Sequence, residues 1–412
     1  MISLPNILGS RFLPPRMHMR KLATGLVFGA FTFVQSLSAA PMITVGDTVG
    51  IHVKAESDFQ YLSNLTLSTI PSLVKDDALI KLTPGIGLTL FEDSQVTNFH
   101  FGAERSFVHF MNETVFNDEP WNLNFNAGYE GYPFGFSVHW DKEELLQNIS
   151  NPLGGGGGGG ALSNSDIVQT IAEQFNVKFN LSFSPKTGFR SGLDWNVTDY
   201  SDFAYQDYNS LSFPLTVFYK ITPKLETAVG YRYRNSEIAN GSEHNDHYLN
   251  LNLMGQLTSK THVQLTLGFQ NRNSDYTTST SSDDSNAFST SLGVTYQLTE
   301  KIQLNAGAFR DFNVGSSIGE SIQYTSANLG SQIQFTPTLA FGTKASVWGA
   351  DYSQIDREDF GVHTTTSFSL APIDSPWTFR AGYHYDWAEF DINGVTDEYV
   401  NHKISLSSAW EY

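Results

Sequence analysis

The tract "SEHNDH", Ser242–His247, sets His244 and His247 at an H-x-x-H interval beside Glu243 and Asp246. Imidazole and carboxylate are groups that divalent metals take up. The tract reads as a polar loop with no supporting partners around it, so no metal site is expected. Further on, His384 and Asp386 share one face of an extended strand. No second acid pair accompanies them, and the chain is read as a non-enzyme. Seven consecutive glycines, Gly154–Gly160, satisfy G-x-G-x-x-G trivially. A phosphate cradle also needs a strand before it, a helix after it and a Lys-Ser/Thr exit. The exit here is Ala161-Leu162-Ser163, so no cofactor is expected. Arg232 and Arg234, one strand step apart, would face the same way, and paired charges of that kind set ion preference in a pore.

Everything then depends on which elements hold these residues. The chain has 412 residues, no cysteine, and 42 acidic against 24 basic side chains, a net charge of −18. Charged residues make up only 16 %, where an ordinary soluble domain carries roughly 25 %. Aromatic residues reach 14 %, yet mean hydropathy is −0.24. Apolar, aromatic and polar residues in such a blend fit a wall whose alternate residues face lipid and water. No basic patch supports nucleic-acid binding. At the N-terminus, Arg16, Arg20 and Lys21 precede the apolar stretch Leu22–Val34, followed by small residues at Ser38, Ala39 and Ala40. Residues 1–40 therefore read as a signal peptide whose true start is Met17 or Met19. Residues 41–412 form the mature unit.

Short turn motifs recur at Ser184, Thr222, Thr258, Thr299, Thr336 and Asp374, with starts 36–41 residues apart. Between them run segments of strict alternation. In "HVQLTLGFQ", Val263, Leu265, Leu267 and Phe269 oppose His262, Gln264, Thr266, Gly268 and Gln270. Each unit reads as strand, long polar loop, strand, tight turn. Ten residues at ~3.3 Å, tilted by ~45°, span about 23 Å, close to the apolar band of an outer membrane. The expected fold is all-β: one transmembrane, antiparallel, up-and-down barrel of about 18 strands, with 16 the runner-up. Short turns are placed in the periplasm with both termini, and long acidic loops outside. Residues 141–173 are assigned to a long Gly-rich external loop. "DKEELLQNIS" and "SDIVQTIAEQ" are read there as short helices flanking the glycines. Gly154, Gly157 and Gly160 would then act as the hinge of a loop able to fold into the mouth, or as a plain tether.

The last strand, "HKISLSSAWEY", places Ile404, Leu406, Trp410 and the terminal Tyr412 on one face. It resembles the C-terminal strand recognised by barrel-assembly machinery. With "IKLTPGIGLTL" at 80–90, "SFPLTVFYKITPKLETAVGYRYRN" at 212–235 and "HYLNLNLMGQLTSKTHVQLTLGFQNRNSD" at 247–275, the chain resembles a family of outer-membrane β-barrel porins of the "β-barrel porin 2" type. The resemblance covers about 45–412 and implies a passive channel for small hydrophilic solutes, held among outer-membrane lipids. A structural or polysaccharide-export-associated barrel with little conductance is the alternative, and a homo-oligomer is compatible with either.

Inward-facing candidates are Arg190, Arg232, Arg234, Lys344, Trp348 and Arg380. A slightly basic lumen would favour anions, with acids such as Asp246, Asp351 and Asp359 consigned to loops; alternatively the lumen charges pair across strands. Trp348 shares its facing with Lys344 and Ser346, and is a candidate for a sugar contact or a constriction. The remaining tryptophans read as an interfacial girdle.

Overall fold

The computed structural model describes residues 43–45, 48–91, 94, 96–148, 167–202, 205–276, 282–315, 321–353 and 355–412. Residues 1–40, read above as a signal peptide, and Gly154–Gly160 lie outside them. The strands are β1 (Ile43–Val45), β2 (Val49–Leu62), β3 (Asp77–Leu90), β4 (Thr97–Arg105), β5 (Phe107–Phe110), β6 (Trp121–Glu130) and β7 (Phe134–Asn148). There follow β8 (Ile167–Ser182), β9 (Thr187–Tyr200), β10 (Tyr208–Thr222), β11 (Leu225–Ile238), β12 (Glu243–Gln256), β13 (Thr261–Asp275) and β14 (Ser282–Thr299). The set closes with β15 (Ile302–Val314), β16 (Ser321–Gln334), β17 (Leu339–Tyr352), β18 (Arg357–Leu370), β19 (Trp377–Ile392) and β20 (Val395–Glu411).

Sequential antiparallel pairing runs round the whole set, and β2 pairs with β20 from Lys54↔Glu411 to Leu62↔Lys403. β4 and β5 are two parts of one strand, since both pair with β3 in a single register across Ser106. β1 is a short addition beside the start of β2. The wall is thus a closed barrel of 18 strands. Closure leaves no sheet edge around the membrane belt, as hydrocarbon requires.

Alternation assigns the faces. Outward positions carry the exposed large apolar side chains: Ile80, Leu82 and Ile86 on β3, Phe213, Leu215 and Val217 on β10, Leu249 and Leu251 on β12. Polar residues face in. Above the apolar belt, ring hydroxyls and an indole turn to polar partners, with Tyr231 OH 2.7 Å from His247 Nδ1 and Trp387 Nε1 donating to Glu398 at 3.1 Å. This is how amphipathic rings settle at an interface.

The repeated turn motif has a physical cause. A hydroxyl of the turn accepts backbone N–H groups that the tight turn itself bonds weakly or not at all. Thr258 Oγ1 accepts from Lys260 N at 3.2 Å and Thr261 N at 3.0 Å. Thr299 Oγ1 accepts from Lys301 N at 3.2 Å and Ile302 N at 3.1 Å. Ser184, Thr222, Thr336 and Ser375 repeat the device.

Two expectations fail at the opposite end. Residues 141–148 and 167–173 are not loop, and they form no helices. They extend β7 and β8 and pair with each other from Asp141↔Gln174 to Asn148↔Ile167. Their Glu, Leu and Gln content suits helix, but pairing with a neighbouring strand overrides that weak preference. Several of the long loops also shrink: β11 and β12 are joined by residues 239–242, and β19 and β20 by Asn393-Gly394. Polar stretches read as loops are strand ends standing above the belt.

Candidate functional site

The inner face carries the polar side chains of the barrel wall. Lys54, Lys178, Arg190, Lys344 and Arg380 all occupy inward positions, and two of them, Lys54 and Arg190, are held in ion pairs. Lys54 pairs with Glu104. Arg190 grips Glu226 with both terminal nitrogens, Nη2 to Oε2 at 2.8 Å, and its guanidinium lies 4.1 Å from the centre of the Phe218 ring. Arg380 is exposed near the turn end. Lys344 borders a recess of about 370 Å³ on the inner wall of β13–β18, among Gln264, Asn305, Asn328 and Thr365.

Arg232 and Arg234 do not stand free. β14 pairs with β13 up to Asp275↔Ser282, but with β15 only as far as Thr290↔Arg310. Beyond Arg310 the tip of the β15–β16 hairpin leaves the wall and crosses the inner face of β11–β13. Arg232 Nη2 meets Asp311 Oδ2 at 3.1 Å, and Arg234 Nη2 donates to the Phe312 carbonyl at 3.0 Å. Arg234 Nε also donates to Asp246 Oδ2 at 2.6 Å. Arg272 completes the cluster, bonding Asp246 through Nε and Nη2 and donating from Nη1 to the Asn313 carbonyl at 2.8 Å. Carbonyls 312 and 313 lack a β14 partner, and the forked guanidinium groups supply the donors. Asp246 is therefore a buried inward acid on β12, where the sequence suggested a solvated loop acid; the alternation simply runs on past Tyr248.

Beside the infolded tip the mouth is filled with apolar side chains. Ile322, Tyr324, Trp348, Ala350, Tyr352, Ala388, Phe390 and Tyr399 form one cluster on β16, β17, β19 and β20. Trp348 stacks on Tyr324 at 6.3 Å and is only 5 % exposed, so it is covered by protein and out of reach of a passing solute. Gly361 makes room, since a Cβ there would sit 2.4 Å from Trp348 Cε2. Arg357 lies over the Tyr352 ring at 4.6 Å and holds Asp359 through Nε–H at 2.7 Å and Nη2–H at 2.8 Å. Asp359, also assigned to a loop from sequence, is thus buried and paired within β18. Arg272 and Arg357, the partners of these two acids, carried no local sequence signal.

The opposite flank of the mouth is open and polar. A recess of about 530 Å³ is lined by Asn122, Asn124, Asp141, Glu143, Gln174 and Asn196, with Tyr208 at its edge. Trp140, Phe175 and Trp195 alternate with these residues and face outwards at the same height.

The histidine pairs separate in different ways. On strand β12, H-x-x-H spacing puts the two rings on opposite faces: His244 is buried against Ser274 Oγ at 2.8 Å, while His247 meets Tyr231 outside. On the inner wall, Asp386 bonds His363 Nδ1, His363 Nε2 lies 2.8 Å from Thr365 Oγ1, and that hydroxyl is 3.1 Å from His384 Nδ1. This chain spans β18 and β19 and orders the wall. Among the described residues no group of three or more His, Asp or Glu side chains converges for a metal.

The C-terminal residues lie as the alternation requires. Ile404, Leu406 and Tyr412 are exposed outwards, and Trp410 stacks on Tyr412 at 6.2 Å.

No family model matches the chain, and no curated protein matches it. Solved structures with a similar course include OccK1 (OpdK) of Pseudomonas aeruginosa, with a TM-score of 0.48 at 11 % identity, covering 88 % of this chain and 99 % of that one. OccK5 (OpdH) of the same organism has a TM-score of 0.45 at 13 % identity, covering 88 % and 98 %. OccAB3 of Acinetobacter baumannii has a TM-score of 0.48 at 8 % identity, covering 88 % and 99 %.

Proposed function

We propose that this protein is an outer-membrane channel through which small hydrophilic solutes diffuse, without covalent chemistry. One observation carries the reading: a closed 18-strand wall that is apolar outside and polar inside, with open, polar-lined recesses along the inner face. Barrels of 16–18 strands are wide enough for an aqueous lumen. The turn end and both termini are assigned to the periplasm, and β20, with its aromatic terminus, to recognition by the assembly machinery. Arg232 and Arg234 are paired with Asp311 and Asp246, and with Arg272 the cluster sets three guanidinium groups against two carboxylates.

Planar-bilayer recording of the purified protein tests the proposal. Stable single-channel steps are expected. Membranes that stay silent at every voltage would overturn it and favour a structural or export-associated barrel.

A further inference from the structure

The two flanks of the mouth differ in kind. On the β15–β20 side, infolded backbone, buried ion pairs and an apolar cluster fill the space. On the β6–β10 side lies the recess of about 530 Å³, within the range of roughly 300–1,000 Å³ that small-molecule sites occupy. Its lining is distinctive. Asn122, Asn124, Gln174 and Asn196 bring four carboxamides, each both donor and acceptor, and Asp141 and Glu143 add acceptors. The single cation in the lining, Lys142, belongs to the outward register and is held by Glu144 at 3.4 Å.

Some of this hydrogen-bonding capacity is unspent. Asn122 Oδ1 has no protein partner, and neither do Asn176 Nδ2 and Asn180 Oδ1 further down the inner face of β8. These three atoms are closed off from solvent, so it is the carboxamide groups lining the open recess that a guest would meet.

We infer that this recess is a binding site for neutral polyhydroxylated solutes of the oligosaccharide class. The inference rests on the channel reading. A sugar hydroxyl donates and accepts at once, which carboxamides match from both sides and carboxylates from one. The Tyr208 ring offers a flat apolar face for a pyranose. An anion would meet Asp141 and Glu143 with no inward arginine or lysine in the lining. A cation could take the two carboxylates and the amide oxygens, but would leave the four amide NH2 groups without an acceptor.

Isothermal titration of maltotriose into the purified protein, in a detergent without a sugar headgroup, tests the site directly. Saturable binding of about millimolar strength is expected. Asn124→Leu combined with Gln174→Leu should weaken it by about fivefold per carboxamide lost. Heat-modifiable gel migration confirms that the variant is folded. Should the double variant not fold, the near-isosteric Gln174→Glu takes its place; it should weaken maltotriose and strengthen spermidine. Spermidine binding without maltotriose binding would make the recess a cation site and overturn the inference, as would maltotriose binding that neither variant disturbs. Maltotriose binding by a protein that never conducts would overturn the channel reading alone. Normal conductance without maltotriose binding would overturn this one alone.

Discussion

Arg272 and Asp246 meet with neither side chain exposed to solvent, Nε to Oδ1 at 2.7 Å and Nη2 to Oδ2 at 2.9 Å. Asp246 also receives Arg234, so one carboxylate answers two guanidinium groups. Removing one partner of a buried pair costs about 3–5 kcal/mol, because the other charge stays buried and uncompensated. Asp246→Asn is therefore expected to destabilise the mouth by an amount in that range. It should lower the temperature at which the barrel loses its compact migration on gels, and shift the reversal potential towards anions. An unchanged reversal potential would mean that the arginines are not neutralised by this acid.

Gly361 tests the packing of the same flank. Gly361→Ala drives a methyl into the Trp348 ring and is expected to cost about 1–3 kcal/mol through overpacking. Gly342→Ala is the matched control, since its nearest neighbour would be Ser367 Oγ at 3.5 Å. Equal thermal stabilities for the two variants would contradict the covered position of Trp348.

Arg190→Ala leaves Glu226 on the inner face without its guanidinium partner. Cation selectivity should rise, read as a shift in reversal potential across a salt gradient, while folding changes little because the arginine is partly exposed. A shift towards anions would show that the pair does not border the conducting path.

Thr258→Ala removes the hydroxyl that accepts two N–H groups in one tight turn. A loss of about 1 kcal/mol is expected, measured as the urea midpoint of refolding into lipid vesicles. Thr258→Ser should recover it. Failure of serine to rescue would assign the effect to the lost methyl group.

Tyr412 separates closure from recognition. Its backbone exchanges bonds with Val53, N to O at 3.0 Å and O from N at 2.8 Å, and Tyr412→Ala keeps both. Refolding in vitro should be unaffected while assembly in cells falls, scored as outer-membrane yield. Equal yields would remove the aromatic terminus from the recognition signal.

Strand period, turn positions and barrel size were legible because each is set within a few residues. Leu265, Leu267 and Phe269 announce their face by spacing alone, and Thr258 announces its turn. The mouth was not legible. Asp246 and Arg272 are 26 residues apart and become partners only through the β12–β13 register Asp246↔Arg272. Arg357 and Asp359 sit two residues apart, yet in a polar stretch they read as solvated charge; their burial comes from Tyr352 and Phe390 on other strands. Leu145 and Ile171 suited helix in isolation and are strand because β7 and β8 align them with Thr170 and Glu144.

The hydroxyl-capped turns carry one more consequence. Each closes its own hairpin with groups from within four residues and offers one carbonyl to the next hairpin, Lys260 O accepting from Gln297 N and Lys301 O from Gln334 N, both at 2.8 Å. A hairpin so equipped is a tile that carries its own closure and the same joint to its neighbour. Duplicating or dropping one changes the circumference by two strands, keeps the count even, and leaves the chain's two ends on the same side of the membrane. Evolution can therefore retune the bore of such a barrel by whole tiles without redesigning a single joint.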